Sequence, residues 1–244
     1  MMKKQSAATP AALASDGGIP ALDPALQADI LPFIKELREN NNREWFAEHK
    51  PRYERLRKHL EAMTDTCIAR MRRFDSELTG LTGKRCMYRI YRDTRFSPDK
   101  TPYKRYIGIF ICKGGAHGEF SGYYLHLEPG HCAVGAGVYG LQPESMKKIR
   151  QHIYFRSADF KNIVLDPAIV KTFGDLDQEA KMKMPSKGFD KDFPDIEWLK
   201  YRHYFLMAPV PDRVAGQLSY IDKVVEYTRM LQPFNAFLNE ALAF

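Results

Sequence analysis

The chain has 244 residues, 44% of them hydrophobic and 27% charged, which supplies a substantial core and excludes a disordered protein. Charged or turn residues interrupt every apolar stretch before it reaches the roughly 18 residues that cross a bilayer, so a membrane-spanning helix is not expected. Lys and Arg outnumber Asp and Glu by 37 to 30, a net charge of +7, and that surplus raises the question of an acidic partner.

In chain order, residues 1–22 open with Lys3 and Lys4 and continue through Ser, Ala, Thr and Pro. They lack the continuous large apolar run of a secretory signal, and the expectation is a disordered tail. Asp23-Pro24 is a helix start. Leu26, Ile30, Phe33, Ile34 and Leu37 then share one face, and Asn40-Asn41-Asn42 ends the helix. Trp45 and Phe46 sit on a short amphipathic turn or helix. After Pro51, the spacing of Tyr53, Leu56, Leu60, Met63, Cys67, Met71, Phe74 and Leu78 predicts a long helix stopped by Gly80 and Gly83.

The period then changes. Residues 86–92, 105–113, 120–128 and 131–139 are short runs rich in Tyr, Ile, Phe and Val, separated by Gly, Pro, Ser and Asp. They predict a four-stranded antiparallel meander, with Pro129-Gly130 forcing a hairpin between the last two. A helix is expected after Pro143, and shorter ones from Ser157 and from Asp166-Pro167. Residues 174–200 read as irregular, 201–207 as a fifth strand, and Pro211 as the start of a long C-terminal helix using Val214, Leu218, Ile221, Val225 and Leu231. Helices grouped at both ends of a central antiparallel sheet of four or five strands define a single α+β domain over residues 23–244.

Cys67, Cys86, Cys112 and Cys132 are 19, 26 and 20 residues apart, without a C-x-x-C pair. Buried reduced thiols and a reducing cytoplasm are therefore expected, with no metal or cofactor indicated.

The charge is concentrated. Residues 84–105 contain eight basic and two acidic residues, a net +6 in 22 residues, which leaves the rest of the chain nearly neutral. Two prolines and the lack of an apolar period place residues 93–102 in a loop between strands, where cations can converge on an anion. Arg89, Arg92, Arg95, Lys100 and Lys104 are the candidate ligands for a phosphate or carboxylate, Asp93 the residue that orients them, and Tyr103 or Tyr124 a wall. A catalytic version of this site would stabilise a developing oxyanion, with Asp93 or His126 carrying the proton. Tyr88, Tyr91, Phe96, Tyr103 and Tyr106 interleave with the cations, so RNA or single-stranded nucleic acid is the alternative partner. Strand alternation over 86–92 argues against one shared aromatic platform. A third possibility is a structural or partner-binding protein whose basic loop is salt-bridged internally. No membrane partner is expected.

Residues 135–140 match G-x-G-x-x-G, but the preceding strand belongs to a hairpin, whereas a dinucleotide site requires a βαβ unit. The alternation instead puts His131, Ala133, Gly135 and Gly137 on one strand face, and Tyr124, His126 and Glu128 on one face of its neighbour. If the register opposes these two rows, they form a shallow cleft with a polar floor. Arg150, on the helix after Pro143, lies near the edge of its apolar arc and within reach of such a cleft. No H-E-x-x-H, G-x-S-x-G or P-loop pattern is present.

Residues 37–46, which read Leu-Arg-Glu-Asn-Asn-Asn-Arg-Glu-Trp-Phe, followed by Tyr53 and by the run from Arg89 to Lys104, resemble the DUF2461 family of conserved hypothetical bacterial proteins. The likeness extends from about residue 26 to about residue 231 and also takes in 124–127, 135–137 and 185–189. It implies a widespread domain of unknown function whose signature is the basic loop. No reaction is assigned to the family, and no catalytic residue carries over.

Overall fold

The computed structural model describes residues 21–243; the expected N-terminal tail lies almost wholly outside them. The first helix, α1 (Pro24–Glu39), begins as its sequence requires, with the Asp23 carboxylate accepting the Ala25 N–H at 2.8 Å and Pro24 in the first turn. Its face of Ile30, Phe33, Ile34 and Leu37 is fully buried. Asn42 caps the second helix, α2 (Arg43–Met71), by accepting the Trp45 N–H at 2.8 Å.

This helix corrects the expected break at Pro51. Trp45 and Phe46 belong to the same helix as Leu56 and Leu60, with Pro51 inside it. A proline there removes one hydrogen bond, but Phe46 on one side and Leu56 and Leu60 on the other are buried in one core, and their packing holds both halves in line. The helix ends at Met71, and Leu78 lies on a separate 3-10 turn.

A single turn, α3 (Gly83–Cys86), precedes the sheet. Four antiparallel strands follow in the order β1 (Ile107–Cys112), β2 (Gly122–Leu127), β3 (Ala133–Val138) and β4 (Tyr204–Pro209). The meander is therefore built from the second, third, fourth and fifth of the expected strands. Residues 86–92 do not join it. Cys86 is helical, and the rest touches β1 only through the isolated bridge of Met87 with Ile109 before Tyr91 bridges Tyr103.

Beyond the hairpins lie α4 (Pro143–Phe155), α5 (Ser157–Val164), α6 (Pro167–Phe173), α7 (Asp212–Ala215) and α8 (Tyr220–Leu242). The last two replace the single C-terminal helix expected from Pro211. Gly216 ends α7, and Leu218 falls in the joint.

Alternation divides the sheet into two faces. Ile107, Ile109, Ile111, Tyr123, Leu125, Leu127, Val134, Ala136, Val138, Tyr204, Leu206 and Ala208 are buried in one continuous core with α1, α2, α4 and α8. On the other face Phe110, Tyr124, His126 and Phe205 are half-buried and Met207 is exposed. The four cysteines are free and buried. Burial pushes the thiols of Cys67, Cys86 and Cys132 up to about 12 and that of Cys112 to about 11, so they remain protonated. Among the described residues no helix is long and apolar enough to cross a membrane.

Candidate binding cleft

The basic segment is a two-stranded ribbon standing out from the sheet. The Arg92 N–H donates to the Pro102 carbonyl at 2.9 Å, and the Lys104 N–H to the Ile90 carbonyl at 2.8 Å. Within its loop the charges are mostly paired internally. Arg92 lies 2.7 Å from the Asp99 carboxylate and also donates to the Thr101 carbonyl and hydroxyl. Arg105 reaches the same Asp99 at 3.4 Å. Asp93 accepts two bonds from the Arg95 guanidinium, at 3.0 and 2.7 Å, and one from its backbone N–H at 3.2 Å. Lys100 donates to the Thr94 carbonyl at 2.9 Å.

These contacts fix the carboxylates in their charged form. The Arg95 side chain and backbone hold Asp93 down to about 2, and the Thr101 backbone and hydroxyl, with Arg92, do the same for Asp99. Arg92, Arg95 and Lys100 thus do not converge on an open point. They give the loop its shape and leave Phe96 at its tip, 93% exposed beside the Arg95 guanidinium.

Two further candidates lie elsewhere. Tyr103 is 4% exposed and stacks on Phe46 with ring centroids 4.1 Å apart, so it is a core anchor of the ribbon. Arg150 is buried on the helix side of the sheet, donating to the Tyr201 carbonyl at 2.7 Å, away from the open face. Its arc on α4 faces the core, which explains why a sequence reading placed it near a cleft.

Lys104 is the loop cation that enters the open face. Its ammonium lies 5.2 Å from the Tyr88 ring centre and 5.8 Å from that of Tyr106, and among the described residues no carboxylate pairs with it. Burial lowers its pKa from the ordinary lysine range, and the nearby Arg89 adds to the effect. Arg89 itself is exposed and has no carboxylate partner among the described residues.

The cleft that Lys104 enters has a volume of about 460 Å³, within the usual range for small-molecule sites. Tyr88, Tyr106, Phe110, Tyr124, Tyr139 and Phe205 supply its aromatic lining. The sheet face around Tyr124 follows from register: Tyr124 stands opposite Gly135, and His126 opposite Ala133 on one side and Gly108 on the other. The two rows expected to face each other do so. The small residues leave room for the rings. An added Cβ at Gly108 would lie 3.0 Å from the Tyr124 hydroxyl, and one at Gly135 would meet the Phe205 ring at 2.9 Å.

Polar groups on this sheet face are connected, with His126 and Glu128 behind Tyr124 and outside the lining of the cleft. The His126 Nε2 is 2.9 Å from the Glu128 carboxylate, and its Nδ1 is 3.0 Å from the Tyr124 hydroxyl. A carboxylate only accepts, so a neutral His126 ring donates from Nε2 and leaves its Nδ1 to accept the Tyr124 proton. Burial raises the Tyr124 phenol well above the usual tyrosine range and keeps that proton in place. Tyr106 tilts over the His126 ring at 4.6 Å.

At the opposite wall His203 contacts the Asp177 carboxylate at 2.8 Å, lowering the acid's pKa chiefly through that hydrogen bond, with Tyr139 4.5 Å from the His203 ring. Neither His203 nor Asp177 was marked by a motif. The signal available was parity, since His203, Phe205 and Met207 share one face of the strand that pairs with the glycine strand. Among the described residues no group of three His, Cys, Asp or Glu is placed to hold a metal.

An α+β domain with one half-open sheet face and an aromatic cleft that the Lys104 ammonium enters is thus the class that fold and site define. A family model described as conserved hypothetical protein (DUF2461) matches residues 29–237, and the chain belongs to that family. Neither the curated proteins nor the solved structures include a match to the chain.

Proposed function

We propose that this protein binds a small anionic molecule, bearing a phosphate or carboxylate and a planar apolar part, on the open face of its sheet. The observation that carries this reading is Lys104, an ammonium with no carboxylate partner among the described residues, held partly buried among aromatic rings at the mouth of a cleft of ligand size. A desolvated cation attracts an anion more strongly than a solvated one, and flat rings suit a planar group. Arg89 strengthens the positive field, while the other loop cations shape the ribbon. A reducing cytoplasmic setting goes with the four buried thiols.

Single-stranded nucleic acid is the second reading, favoured by the six phenyl and phenol rings of the cleft and by exposed Phe96. The internal pairing of Arg92, Arg95 and Arg105 leaves fewer cations for a phosphate chain.

Thermal unfolding with inorganic phosphate, nucleoside monophosphates and dicarboxylates separates the two. A ligand at about a hundred times its Kd raises stability by about 2.7 kcal/mol. At least one member is expected to stabilise the wild type and not Lys104→Ala. No stabilisation by any of them, or equal stabilisation of both proteins, contradicts the anion site. Binding of single-stranded RNA that falls steeply with salt favours the second reading.

A further inference from the structure

Tyr124, His126 and Glu128 lie at alternate positions along β2 and the residue just after it, so strand geometry alone puts all three on the open face. Their hydrogen bonds run in one direction. In the neutral imidazole Glu128 fixes the proton on Nε2, and the Nδ1 lone pair then faces the phenol. This is the arrangement of a hydroxyl, a base and an orienting acid that activates nucleophiles on unrelated folds. The Tyr124 hydroxyl lies over Gly108, where the missing Cβ makes room for it beside the Tyr88 ring, and Tyr124 lines the cleft that Lys104 enters.

A purely structural hydrogen bond does not require the third member. Tyr124 and Tyr106 both line the cleft wall, and only Tyr124 has a base behind it.

We propose that Tyr124 is a base-activated nucleophile of the cleft, acting on an electrophilic centre of the ligand that Lys104 anchors. As the phenol oxygen forms its bond to that centre, the bond to the leaving group breaks and takes its electron pair. The phenolic proton passes to His126 Nδ1, and Glu128 stabilises the imidazolium. His126 then returns the proton to the leaving group. Glu128 is a positioning residue. The step rests on the proposed binding site for its natural substrate, but the reactivity of the hydroxyl does not depend on anion binding.

The experiment uses a neutral probe, phenylmethanesulfonyl fluoride, on the full chain. The Tyr124 oxygen displaces fluoride from sulfur, and peptide mass spectrometry locates the sulfonylated tyrosine. General-base assistance is worth about a hundredfold or more, so Tyr124 is expected to react at least about a hundredfold faster than Tyr91, which is 49% exposed and has no adjacent base. The same factor is expected to vanish in His126→Gln, and about tenfold to be lost in Glu128→Gln, which keeps the size of the side chain. If His126→Gln fails to fold, Glu128→Gln decides alone.

Labelling of Tyr124 no faster than Tyr91, or a rate that Glu128→Gln leaves unchanged, overturns the proposal. The probe carries no anion. Failed labelling beside an intact melting response to anions therefore removes only the nucleophile, and the reverse result removes only the anion site.

Discussion

The side-chain amide of Asn41 clasps the backbone of Tyr103, donating to its carbonyl and accepting its N–H, both at 3.0 Å. The corner between α1 and α2 is thereby fastened to the basic ribbon, across 62 residues of sequence. With Tyr103 stacked on Phe46, this clasp sets where the ribbon leaves the core and so where Lys104 enters the cleft. Asn41→Ala removes both bonds and leaves a partly buried peptide without partners. Stability is expected to fall by about 1 to 3 kcal/mol, read from the urea midpoint, with faster amide exchange at Lys104. A change below about 0.5 kcal/mol contradicts the clasp.

Gly137 tests the meaning of the G-x-G-x-x-G stretch. Its φ is 136°, and an added Cβ would lie 2.0 Å from the Tyr204 carbonyl oxygen, whereas Gly140 has φ 67° and open space around it. Gly137→Ala is expected to lose more than about 3 kcal/mol by forcing β3 from β4, and Gly140→Ala about 1 to 2 kcal/mol from backbone conformation. Equal losses in thermal unfolding contradict a packing role.

Arg150 carries stability rather than binding. Its Nη2 holds the Tyr201 carbonyl, and among the described residues its buried Nε has no hydrogen-bond partner. Arg150→Ala is expected to lose about 2 to 4 kcal/mol through a cavity and an orphaned carbonyl. Arg150→Met, which fills the space and removes a buried charge, is expected to lose less. Anion binding is expected to be unchanged in the folded Met variant. A tenfold loss of affinity there would return Arg150 to the site.

Lys104 sets a pH dependence. Its pKa in the free protein lies below the ordinary 10.5, so the ammonium deprotonates earlier than an exposed lysine as pH rises. Affinity for a dicarboxylate, whose own charge is constant above pH 7, is expected to be flat at neutral pH and to decline before pH 10.5 is reached. Folding follows the opposite sign. Burying the charged form is unfavourable, so the contribution of Lys104 to stability rises between its lowered pKa and 10.5. Titration calorimetry across this range gives the first slope.

Much of the sheet was legible because burial imposes period two. Ile107, Ile109 and Ile111 declare the core face, and the turn at Pro129-Gly130 sets the register that brings Tyr124 to Gly135. Residues 86–92 misled because Tyr and Ile suit an extended chain, while a strand also requires a continuous ladder, and only Met87 and Tyr91 form bridges. Pro51 misled for the converse reason, since tertiary packing of Phe46 and Leu56 outweighs one lost hydrogen bond.

In the site, composition located the basic segment but not its pairing. Asp93 and Asp99 pair with Arg92, Arg95 and Arg105 through loop geometry that no spacing rule encodes. The row of Tyr124 and His126 was visible in strand alternation. The contribution of His203 and Asp177 depends on where the irregular 174–200 segment meets β4, a contact formed only in the tertiary fold.

The central claim is that Lys104, rather than the paired cations of the loop, is the anion anchor. Its most direct measurement is isothermal titration, with phosphate or the nucleotide or dicarboxylate that most raises the melting temperature, of the wild type, Lys104→Met and Arg95→Ala. The account predicts that Lys104→Met weakens binding at least about tenfold, equivalent to about 1.4 kcal/mol, while Arg95→Ala changes it less than about twofold. Equal affinity in Lys104→Met and the wild type, or a larger loss in Arg95→Ala, would contradict it.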